Sequence, residues 1–133
     1  MQPLESTPPT PTPTRVLVAD QNSAVRASLR YFVESEPGFE FVGDVSDTEW
    51  LRWALRVTAP DVVVVDCTLP GGGLQEIVEC ARRRLPGARI VVLGCGPWQA
   101  PTAADAGADA YVSKCESPDV LRAALHRLAE RRN

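Results

Sequence analysis

The chain has one lysine, Lys114, and one histidine, His126, while thirteen arginines supply its remaining basic side chains. The single lysine, Lys114, therefore stands out as the one side chain that can supply an ammonium group. His126 falls off the apolar stripe of the last helical segment and reads as a solvated side chain, so a histidine phosphodonor module has no support. The net charge is only −3 and no block of like charges occurs, which argues against direct nucleic-acid contact from this chain. No apolar run reaches membrane-spanning length, and the N-terminus has neither the basic nor the apolar region of a signal peptide. A cytoplasmic location without membrane contact is expected. The four cysteines, Cys67, Cys80, Cys95 and Cys115, show no CxxC spacing, so spacing supports neither a zinc site nor a disulfide framework. The first strand-to-helix turn, Asp20-Gln21-Asn22-Ser23, has no glycine-rich phosphate cradle, which weighs against a flavin.

With 133 residues there is room for one domain. Residues 1–14 hold five prolines and four threonines with almost nothing apolar, and are expected to form a disordered tail. Residues 15–133 form the domain. Its centre is Val62-Val63-Val64-Val65-Asp66, bounded by Pro60 and Pro70. An unbroken β-branched run of this length reads as a strand buried on both faces, and such strands belong to parallel sheets. Asp66 then lies at the strand's carboxyl end, where open α/β sheets place their chemistry.

The same pattern recurs along the chain. Val16 to Ala19 forms a strand ending at Asp20, followed by a helix capped by Asn22 or Ser23 with Val25, Leu29, Phe32 and Val33 on its apolar stripe. Phe39 to Val45 reads as a second strand. Ser46 and Glu49 have capping-box spacing for a helix to Thr58, with Leu51, Ala54 and Leu55 inward. Residues 73–85 form a third helix, with Leu74, Ile77, Val78 and Ala81 inward. Ala88 to Leu93 is a fourth strand, a short helix begins near Pro101, and Ala108 to Ser113 is a fifth strand ending at Lys114. Ser117 caps a last helix striped by Val120, Leu121, Ala124, Leu125 and Leu128. Five strands alternating with five helices predict a three-layer α/β fold with a parallel sheet of order 2-1-3-4-5. Asp20, Asp66 and Lys114 then share one edge.

Arg15-Val16-Leu17-Val18-Ala19-Asp20, Pro60 through Asp66, Leu69-Pro70-Gly71 and Ala106 through Lys114 occur in an order and spacing that resembles the receiver domain of two-component response regulators. The likeness is greatest to receivers attached to LuxR-type DNA-binding domains, and it covers everything but the tail. It implies a regulator rather than an enzyme, with Asp66 accepting a phosphoryl group from a histidine kinase. It also implies magnesium held by Asp20, Asp66 and the backbone carbonyl of Thr68, with Lys114 pairing the phosphoryl oxygens and Tyr111 as an aromatic switch. Two positions depart from the family pattern. Gln21 stands where the family has a second metal-binding acid, and Gly94 where it has a Ser or Thr that bonds the phosphoryl group. The loops after the third and fourth strands are also short, reducing the fourth helix to a stub.

These departures favour an atypical receiver, a protein-interaction module with weak or absent phospho-switching and weak or absent magnesium. Its partner would be a histidine kinase, another signalling protein or a second copy. The alternatives are a fully phosphorylatable receiver controlling a DNA-binding output domain or partner, and a small flavodoxin-like redox or metal protein using Cys67, Cys95 and Cys115. Trp50, Trp53 and Val57 recur at helical spacing away from the inner face of the second helix and mark a possible partner face.

Overall fold

The computed structural model describes residues 12–130. Its elements are β1 (Thr14–Ala19), α1 (Ser23–Glu34), β2 (Phe39–Val45), α2 (Thr48–Thr58), β3 (Val62–Asp66), α3 (Leu74–Arg84), β4 (Arg89–Gly94), α4 (Ala100–Asp105), β5 (Ala110–Ser113) and α5 (Pro118–Glu130), with one 3-10 turn at Pro97–Gln99. The strands form one sheet of order β2-β1-β3-β4-β5, parallel throughout. The expected topology is the observed one.

Alternation along β3 builds both cores. Val63 and Val65 pack with Leu51, Leu55, Ile77, Val78 and Ala103 on one face, and Val62 and Val64 with Val33, Leu121, Leu125 and Leu128 on the other. All four valines are 1% exposed or less, and burial of each contributes about 1.5–3 kcal/mol relative to exposure. Because β3 is sandwiched in this way, its last residue is held at a fixed depth, and that residue is Asp66.

Several local expectations are corrected. Residues 1–11 lie outside the described residues, but Thr14, assigned to the tail, is buried and pairs with Phe39 as the first residue of β1. Of the two residues named as caps of α1, Asn22 is the one used, its side chain accepting from the amides of Ala24 and Val25. The cap of α2 is Asp47, not Ser46; its carboxylate accepts from the Trp50 amide at 2.8 Å. Thr48, one residue on, is turned into the fold. Its amide and its hydroxyl both donate to the Pro70 carbonyl at 2.9 Å, tying the start of α2 to the loop after β3. Gly71 passes this contact at φ +97°, and a Cβ there would press on the Thr48 side chain at 3.3 Å. On α5, Val120 is 38% exposed and does not join the inner stripe. His126 is exposed yet paired, its Nε2 lying 2.7 Å from Glu36 Oε1. Among the described residues, no helix is long and apolar enough to cross a membrane.

Candidate functional site

Three strand ends converge. Asp20 follows β1, Asp66 ends β3, and Lys114 follows β5, its amide bonded to the Gly94 carbonyl at 2.7 Å, which sets it beside the end of β4. The Lys114 ammonium bridges the two carboxylates, 2.7 Å from Asp20 Oδ2 and 3.1 Å from Asp66 Oδ1. The remaining oxygens are also occupied. The Asn22 amide donates to Asp20 Oδ1 at 2.9 Å, and the Thr68 hydroxyl donates to Asp66 Oδ2 at 2.6 Å. Thr68 was expected to act through its backbone; its side-chain contact was missed, although a hydroxyl two residues after an Asp in a turn is a signal for it.

Asp20 and Asp66 are almost wholly buried, so each depends on its partners, because an unpaired buried carboxylate is strongly unfavourable. Two carboxylates against one ammonium leave the pocket with one net negative charge. Burial works against the Lys114 ammonium, but its hydrogen bonds to Asp20 and Asp66 outweigh that and hold its pKa above the ordinary lysine value.

The donor set bears on magnesium directly. Magnesium takes hard oxygen ligands in an octahedron and keeps several waters, binding through one or two carboxylates. Asp20 and Asp66 meet that minimum. Gln21 is exposed and adds at most a neutral oxygen. Among the described residues no group of three His, Cys, Asp or Glu side chains is placed to hold a metal.

At the end of β4 the space beside Gly94 is filled. A Cβ built on Gly94 would collide with the Gln99 side-chain oxygen and the Tyr111 hydroxyl, and would lie 2.8 Å from Tyr111 Cε1, well inside the ~3.5 Å at which carbon atoms rest. The Tyr111 ring therefore occupies the room that any other residue at position 94 would claim. Its hydroxyl donates to the Gly96 carbonyl. Gln99, which sequence reasoning did not single out, accepts from the Cys95 amide at 2.7 Å. Gly96 donates its amide to Ser113 Oγ at 3.0 Å and, at φ +84°, lets the Trp98 indole lie against it. Burial pushes the Tyr111 phenol pKa up, with the neighbouring Cys67 and Cys95 thiols adding to the shift.

A redox role for the thiols is not favoured. All four cysteines are free, with Cys95 and Cys115 exposed and Cys67 half-buried against the core. Burial, and then the charge of Asp66, raises the Cys67 pKa, the opposite of what a reactive thiolate needs. Trp50, Trp53 and Val57 are exposed on α2, with the indole centroids 5.5 Å apart in edge-to-face contact.

Residues 16–126 match the family model described as the response regulator receiver domain. The chain is 34% identical over 119 residues to a nitrate/nitrite response regulator protein homolog of Haemophilus influenzae, covering 87% of this chain and 57% of that protein. It is 29% identical to the nitrate/nitrite response regulator protein NarL of Escherichia coli, covering 88% and 55%. The chain thus spans about half the length of these curated relatives. Among solved structures, a LuxR-family two-component response regulator from an Aurantimonas species superposes with a TM-score of 0.78 at 32% identity, covering 89% of this chain and 86% of that one.

Proposed function

The chain belongs to the response regulator receiver family, and we propose that it is an atypical member, in which Tyr111 is seated inward whether or not Asp66 carries a phosphoryl group. The observation that carries this reading is the space at Gly94, filled by Tyr111 and Gln99. In a switching receiver the aromatic ring must have two positions of differing energy, because only a differential interaction shifts a population. Here the inward position is already closed by a hydrogen bond to Gly96, and no hydroxyl at position 94 links it to the phosphoryl group.

Phosphotransfer itself retains its groups. Asp66 is the phosphoacceptor in this reading, Lys114 pairs with a phosphoryl oxygen, and Thr68 orients the carboxylate. Magnesium, when bound, would supply charge to offset that building on the transferring oxygens, and Asp20 and Asp66 would hold it with the Thr68 carbonyl. It must compete for those carboxylates with the Lys114 ammonium already between them, so binding is weak. Replacing Gln21 with Asp restores the missing anion and should tighten magnesium binding at least tenfold, about 1.4 kcal/mol, measured by calorimetric titration. Equal affinity for wild type and Gln21→Asp would refute the account of the metal site.

The partner is a histidine kinase or another signalling protein that reads the face around Tyr111, Trp98 and α4. Moving a two-state domain from mostly off to mostly on takes about 5.5 kcal/mol of differential binding, and the hydrogen bond missing at Gly94 contributes roughly 1.5–3 kcal/mol of such preference. The test adds acetyl phosphate and magnesium while following both intact mass and tryptophan fluorescence, since Trp98 is 72% exposed in the loop beside the pocket. A phosphorylated species with an unchanged emission spectrum is the expected result. A spectral change that is lost in Asp66→Asn would restore the conventional switch.

A further inference from the structure

Nothing in the chemistry of the Asp66 pocket requires two indoles on α2, yet Trp50, Trp53 and Val57 are 54%, 47% and 60% exposed. At 3.6 residues per turn these three fall in a strip about 60° wide, set apart from the buried face of Leu51, Ala54 and Leu55. One flank of the strip carries Glu49 and Arg56, both exposed. Neither has an ion-pair partner among the described residues. Exposed apolar surface concentrated at one spot marks an interaction site, and its flanking charges say which one.

We infer that this face is a twofold interface between two copies of the chain, with α2 packed antiparallel on α2. A twofold axis perpendicular to an antiparallel helix pair keeps each flank of one helix opposite the same flank of the other. Residues facing each other then have numbers whose sum is nearly constant. With Trp53 near the axis, Trp50 of one copy meets Val57 of the other, and Glu49 meets Arg56, each contact occurring twice. The opposed helix dipoles favour the same arrangement. A parallel pairing, whose twofold axis runs along the helices, would set each flank against the partner's other flank and leave Glu49 and Arg56 without each other, so the charge pattern selects the antiparallel one. Thr48, the first residue of α2, is bonded to Pro70 in the loop after Asp66, so the interface helix is anchored to the phosphoacceptor loop. The contact is small, and small interfaces are weak.

Sedimentation velocity of the 133-residue chain at concentrations up to roughly 100 µM, where an interface of this class is populated, should show a monomer–dimer equilibrium. Trp53→Glu should abolish it. Glu49→Arg and Arg56→Glu should each weaken self-association about tenfold, because each turns two exposed opposite-charge contacts into like-charge ones. An equimolar mixture of these two variants should regain wild-type affinity, since in the mixed dimer both contacts again join opposite charges. Far-UV circular dichroism checks that each variant is folded, and if Trp53→Glu is not, the charge variants decide. A monomeric wild type would assign the face to a different protein and overturn the inference. So would a dimer unaffected by folded Trp53→Glu, or a mixture no tighter than the single variants.

Discussion

Lys114→Met should cost about 1–3 kcal/mol of stability at neutral pH, less than for a fully buried ion pair because the carboxylates are buried but the ammonium side chain is 26% exposed. The size follows from what remains. Asp20 and Asp66 are 1% and 4% exposed, and without the ammonium they face one another with only the Asn22 amide and the Thr68 hydroxyl as donors. Methionine fills the volume of the lysine stem, so the deficit is electrostatic. The pH dependence follows from linkage. The Lys114 pKa is raised by its hydrogen bonds to Asp20 and Asp66, against the opposing effect of burial. A raised folded-state pKa means that the contribution is fully present below the unfolded lysine value of about 10.4 and is lost as pH rises through the folded value. Urea denaturation of wild type and Lys114→Met should therefore show a gap that is constant from neutral pH to about 10 and closes above it. Magnesium should narrow the same gap near neutrality, because a cation that binds only the folded state stabilises it, and the variant pocket has no ammonium to displace. A variant within about 1 kcal/mol of wild type would mean that the bridge has the small value of a surface pair.

Gly94→Thr should do two things at once. Its Cβ cannot coexist with the Tyr111 ring and the Gln99 oxygen where they lie, so Tyr111 must swing outward, breaking its bond to Gly96. Such overpacking costs about 1–3 kcal/mol. The same substitution supplies the absent hydroxyl, so phosphorylation of Asp66 now has a group to pull on and a ring with somewhere to go. The expected phenotype is a less stable domain that gains a phosphodonor-dependent change of about tenfold or more in partner affinity. Gly94→Ala separates the two effects, because it displaces the ring without offering a hydroxyl. It should match Gly94→Thr in destabilisation and remain silent to phosphodonor. If Gly94→Thr is as stable as wild type, Tyr111 was not held by the space at Gly94.

The convergence of Asp20, Asp66 and Lys114 was legible in the sequence because it depends on a short chain of reasoning. Buried β-branched runs make parallel strands, parallel strands present their carboxyl ends at one edge, and all three residues stand at strand ends. The departures at Gln21 and Gly94 could be read only as missing groups. What occupies the space at Gly94 depends on Tyr111 seventeen residues later and on Gln99 in a loop, and no periodicity announces such a contact. The cap of α2 was misplaced for a local reason: Ser46 and Asp47 are both good caps, and the capping-box spacing to Glu49 favoured the wrong one. Thr48, needed to hold Pro70, settles the choice through tertiary structure. His126 was read as solvated because Glu36, its partner, lies ninety residues away, and Val120 was placed on the stripe of α5 because its spacing fits a helix turn whose outer side is open.

If Tyr111 keeps its inward position whatever the state of Asp66, NMR of its ring will show it. Spectra of the chain with a labelled Tyr111 ring would be recorded before and after acetyl phosphate and magnesium, with intact mass confirming the modification of Asp66. Shifts are expected to be confined to residues lining the carboxylate pocket, while the Tyr111 ring and the Gly96 amide stay where they were. A Tyr111 resonance that moves on phosphorylation, and returns when the phosphoryl group is lost, would contradict a fixed inward ring.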